Sequence, residues 1–104
     1  MNPLLLGANQ PVRFYRGGER IAAFRGVAPE NDSVPEDWVG STTALFGESS
    51  LGLTRLPDGE LLRDAVAANP VAWLGAAHAE RFGGDTALLV KLLDAGQRLP
   101  VHCH

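Results

Sequence analysis

The chain has 104 residues, a formal net charge of −3 and a 45% hydrophobic composition, the profile of one ordinary folded unit. Its mild acidity leaves no basic footprint for nucleic acid, and its longest apolar runs fall far short of the roughly 20 residues that span a membrane. The single cysteine, Cys103, cannot form an internal disulfide, so a cytoplasmic setting is expected.

Leu4–Leu6 is too short for a signal peptide, and Gly7–Gln10 reads as loop. Pro11–Phe14 is apolar or extended, and Arg16-Gly17-Gly18-Glu19 is turn chemistry. Arg20–Phe24 fits either a short helix or a strand edge, and the stretch 12–24 is assigned to the first strand region. A Pro-bounded polar loop, Val27–Pro35, precedes a strand over 38–43, where Trp38, Val39 and the Thr pair favour extended backbone. The bland role for Trp38 is core packing, with a Ser/Thr turn after it. Gly and Pro break any periodicity between Phe46 and Asp58.

Three short helices follow, over 59–67, 70–74 and 76–82. Asp58 is the expected N-cap of the first, and Leu61, Leu62, Ala65 and Val66 form its apolar stripe. Asn69 caps the second with Pro70 at its first position, and Gly75 stops it. Gly83-Gly84 ends the third. Strands over 87–93 and 98–104 flank the turn residues Asp94–Arg98. Pro100 stands near the start of the second strand, where its missing N–H is tolerated.

The chemistry-bearing residues gather at that end. In a strand, His102 and His104 leave the same face with Cα atoms roughly 6.5–7 Å apart, a spacing from which two imidazoles reach one metal ion. Cys103 then faces the other way and reads as a buried apolar residue. Lys91 interrupts an apolar strand, either as a snorkelling surface side chain or as an ammonium facing a pocket. His78 reads as a surface histidine. Arg13, Arg16, Arg20, Arg25 and Arg63 are scattered and make no phosphate nest.

The run LLVKLLDAGQRLPVHCH over Leu88–His104 resembles the metal-site strand pair of class I mannose-6-phosphate isomerases. Lys91 stands at that family's Lys position and His102 and His104 at two of its ligand positions; Pro100 replaces the usual Ser. Glu36, Trp38 and Ser41 match its Glu-x-Trp-x-x-Ser segment, and Tyr15, Gly17 and Gly18 fit its N-terminal Gly-Gly pattern loosely. The resemblance implies a mainly β fold with a short helical insertion, the N-terminal part of a cupin (jelly-roll) barrel, incomplete within 1–104 and forming one unit. It implies interconversion of mannose 6-phosphate and fructose 6-phosphate through an enediol(ate), with Lys91 beside the sugar. One Zn²⁺ ion, weakly held by this chain, would bind His102 and His104, while the remaining ligands and the catalytic groups would lie beyond position 104. The chain itself is therefore expected to be a catalytically incomplete fragment. The alternative is a non-catalytic half-cupin module that binds a metal or a partner. Either way, uncovered strand edges predict self-association.

Overall fold

The computed structural model describes residues 2–103. Among them are four helices, α1 (Glu19–Arg25), α2 (Leu62–Ala68), α3 (Pro70–Leu74) and α4 (Ala76–Phe82), and two strands, β1 (Glu36–Val39) and β2 (Val90–Leu93). The strands pair antiparallel in a two-stranded sheet. A mainly β chain and a piece of a cupin barrel are both overturned by this content. Two four-residue strands make a ribbon, not the start of a barrel wall.

Local chemistry explains where the strands were overestimated. The region 12–24 ends in a helix, α1, with Glu19 in its first turn and Arg25 in its last, both favourable to the helix dipole. Gly26, at φ 70°, closes α1: its N–H bonds to the Ala23 carbonyl, and the Val27 N–H reaches back to Ala22. β1 stops at Val39 because Gly40 turns to φ 55°. β2 begins only at Val90; Ala87, at φ 60°, breaks the extended run before it. The strand expected over 98–104 is absent among the described residues, and His104 lies outside them.

The helical region follows its local signals more closely. Asn69 accepts a hydrogen bond from the Ala72 N–H and Pro70 opens α3, as its sequence requires. Gly75 and Gly83 bound α4. Asp58 does not cap α2. Its carboxylate accepts from the Glu60 N–H in a local turn, and the helix starts after Leu61.

The described chain divides into two compact units. The first comprises residues 2–9 and 38–90. Trp38, Leu53, Leu62 and Val66 are its buried apolar centre. Asn9 is its polar hub: the side-chain amide donates to the carbonyls of Trp38 (3.0 Å) and Gly52 (2.7 Å) and to the Thr54 hydroxyl (3.3 Å). Ser41 is buried and forms the expected Ser/Thr turn with Thr43.

The second unit comprises residues 10–37 and 91–103. Its buried apolar residues are Tyr15, Ile21, Ala22 and Val34. Two distant segments meet at Gly17, whose backbone pairs with Ser33 on one side and Ala95 on the other. A Cβ at Gly17 would lie 1.9 Å from the Asp94 carbonyl oxygen, so only glycine permits this approach.

Candidate functional site

β1 carries two adjacent carboxylates, Glu36 and Asp37, both buried. Strand alternation sends them to opposite faces, so each needs its own cation. Asp37 takes Arg25 from α1, with the guanidinium Nε 2.5 Å from Oδ2. Glu36 takes two cations. Lys91 Nζ donates to its Oε1 at 3.1 Å, and Arg13 Nε lies 3.0 Å from its Oε2. The Arg13 contact is one of charge alone, because neither atom makes a directed hydrogen bond there.

Exposure grades outward across this cluster. The Glu36 side chain is 6% exposed, Arg13 26% and Lys91 33%, so the anion forms a floor and the cations form its solvent side. Tyr15, two residues from Arg13, is buried and interacts with the same carboxylate. Burial raises its phenol above the ordinary value, and a hydrogen bond to Glu36 and that carboxylate's charge add to the shift; Arg13 opposes it.

The same unit contains a polar cleft of about 710 Å³, lined among others by Arg16, Arg20, Asn31, Asp32 and Asp94. Asp94 is already engaged, since its carboxylate accepts from the Arg20 N–H at 2.7 Å and its carbonyl from the Gly18 N–H at 3.0 Å. Arg16 donates to the Gln97 side chain at 3.2 Å.

Lys91, singled out from sequence, is placed against the buried Glu36 carboxylate. His102 is exposed on irregular backbone. Its expected companion, His104, lies outside the described residues. Among the described residues no group of three or more His, Cys, Asp or Glu side chains is placed to hold a metal ion. Cys103 is exposed, against the expectation of burial, because the strand that would have turned it inward is not there. His78 is half-buried, bonds to the Asp85 carbonyl at 2.8 Å and packs on Phe82.

Arg13 was missed as a partner in this site. A lysine inside an apolar strand calls for a carboxylate, and the Pro-Glu-Asp-Trp run offers two next to a core Trp. No comparable local signal marks Arg13, which joins the cluster only through tertiary contact.

No family model matches the chain, and neither the curated proteins nor the solved structures compared with it give a match. No helix among the described residues is long and apolar enough to cross a membrane.

Proposed function

We propose that this chain contributes substrate- and metal-binding residues to a mannose-6-phosphate isomerase, an aldose–ketose isomerase acting on a sugar phosphate. One observation carries the reading. Glu36 and Lys91, 55 residues apart, are among the positions that the resemblance to that enzyme family marks in separate segments, and their side chains are in contact at 3.1 Å.

In this reading the Lys91 ammonium faces a substrate oxygen while Glu36 holds it in place. Its positive charge offsets negative charge that develops on the sugar oxygens as a proton moves between C1 and C2. A zinc ion, when bound, would polarise the same oxygens, with His102 and His104 as its ligands from this chain.

Lys91 is the only lysine in the sequence, which gives a direct test. Acylation of Lys91 by an N-hydroxysuccinimide ester is followed by peptide mass spectrometry with Zn²⁺ present. Millimolar mannose 6-phosphate is expected to slow the labelling, and unphosphorylated mannose at the same concentration is not. Equal labelling with and without the sugar phosphate would sink the proposal.

A second reading, a non-catalytic partner-binding module, draws on the exposed apolar side chains of the second unit. Phe14 and Phe24 are each 79% exposed and Val101 is 97% exposed. If these are covered by a second copy of the chain, sedimentation at micromolar concentration gives a dimer or larger species. A monomer there removes the self-association version of this reading.

A further inference from the structure

We infer that the polar cleft of the second unit binds a small zwitterion of the α-amino-acid class, its carboxylate on Arg16 and Arg20 and its ammonium on Asp32 and Asp94. The cleft measures about 710 Å³ and is walled by residues around the start of α1, by the loop that holds Asn31 and Asp32, and by the turn after β2. Both signs of charge line it. Among the described residues its arginines and carboxylates form no ion pair with one another. Each of three charged groups is held by a neutral one instead. Arg16 Nε donates to the Gln97 amide oxygen at 3.2 Å, Asp94 Oδ2 accepts from the Arg20 main-chain N–H at 2.7 Å, and Asp32 Oδ1 accepts from the Ser33 hydroxyl at 3.4 Å. These bonds fix the side chains without cancelling their charge. Among the described residues the Arg20 guanidinium keeps all its donors, Arg16 those of its two terminal nitrogens, and Asp32 its second oxygen.

The main chain is tied at the same residues. The carbonyls of Arg16, Asp32 and Asp94 accept from the N–H groups of Gly96, Gly17 and Gly18 at 2.8, 2.8 and 3.0 Å. A cleft whose charged residues are already held in place loses little freedom when a ligand enters. The charge pattern selects the ligand. A simple anion would meet the guanidiniums but also the carboxylates of Asp32 and Asp94, and a simple cation would meet the reverse. A zwitterion answers both. A guanidinium takes the two oxygens of a carboxylate in parallel, and an ammonium has three donors for the carboxylates opposite. The volume lies within the range of small-molecule sites, about 300–1,000 Å³, and leaves room for a side chain beyond the two charged groups.

The experiment is saturation-transfer NMR on the full chain with the proteinogenic amino acids, each at millimolar concentration. At least one is expected to receive saturation, and none doing so overturns the inference. The amino acid that binds is then titrated beside its N-acetyl derivative and its methyl ester, which remove one charge each and leave the protein unchanged. Both are expected to bind about tenfold or more weakly, the lower end of what a charge-assisted hydrogen bond contributes. A smaller loss on blocking either group overturns the zwitterion. Location is read from amide shifts of the native chain. Gly17 and Gly96, which line the cleft, are expected to move, and shifts confined to residues outside it overturn the assignment. Arg20→Gln and Asp32→Asn change exposed side chains. With native circular dichroism, each is expected to weaken binding by about tenfold or more, and native affinity in either overturns the inference. The probes carry no sugar and no phosphate, so the outcome is independent of the reading of Lys91.

Discussion

Breaking the Arg25–Asp37 pair from its two ends is expected to harm the fold unequally. The Asp37 side chain has no solvent exposure, whereas that of Arg25 is 20% exposed. In Arg25→Gln the carboxylate loses this cation and cannot reach water. In Asp37→Asn the guanidinium can turn toward solvent, and an amide remains within hydrogen-bond reach. Removing one partner of a buried pair costs about 3–5 kcal/mol when the other charge is trapped, and Arg25→Gln belongs to that range. Asp37→Asn is closer to the loss of a charge-assisted hydrogen bond, about 1.5–3 kcal/mol. A domain of this size is stable by roughly 5–15 kcal/mol, so the first change removes a large fraction of the total. Urea denaturation and hydrogen exchange at the α1 amides measure both variants. With a slope of about 1–3 kcal/mol per molar urea, Arg25→Gln should lower the midpoint by about 1 M or more. Equal losses, or a larger loss in Asp37→Asn, would refute the argument that the carboxylate is the trapped group.

Further outcomes follow from single contacts. Gly17→Ala places a Cβ 1.9 Å from the Asp94 carbonyl oxygen, a backbone atom that cannot swing away, and should abolish exchange protection in α1. Gly26→Ala meets no atom within 4 Å, has only its positive φ to contend with, and should lower stability by about 1–2 kcal/mol. Asn9→Ala removes three donated hydrogen bonds and should destabilise the first unit by about 1–3 kcal/mol in urea followed by Trp fluorescence. Asn9→Asp should be no better, because a carboxylate cannot donate. Tyr15 is the only tyrosine, so absorbance at 295 nm follows one phenol; it should titrate above the ordinary value of 10.0. A raised phenol favours the neutral folded form, so the stability it confers is complete below pH 10 and falls as pH rises from there through the folded value. In Tyr15→Phe that alkaline loss should vanish, and a Tyr15 titration at or below the ordinary value would contradict the burial argument.

The features legible in the sequence were those written within a few consecutive residues. Asn69-Pro70, Gly75 and Gly83 fix the bounds of α3 and α4 by capping and backbone preference alone. Trp38 was readable as a core residue and Ser41 as a turn. What failed depended on partners. Ile21-Ala22-Ala23-Phe24 is too short for its period to separate helix from strand, and the closing bonds at Gly26 decided for helix. The strand expected over 98–104 requires neighbours to pair with, and its residues supply only propensity. In the candidate site, Lys91 was visible as an anomaly in an apolar run. Its coupling to Arg13 was not, because that link exists only when three separate segments converge on one carboxylate.

The second unit is stitched from two segments separated by 53 residues of sequence that belong to the first. α1 is seven residues long, too short to persist alone, and the carboxylate that bonds to its first turn is Asp94, 74 positions after Arg20. During synthesis, residues 38–90 leave the ribosome before that carboxylate does, so the first unit can gather while α1 still lacks its anchor. Folding of the second unit must wait for a loop closure of that length, which marks it as the slower step in a refolding experiment.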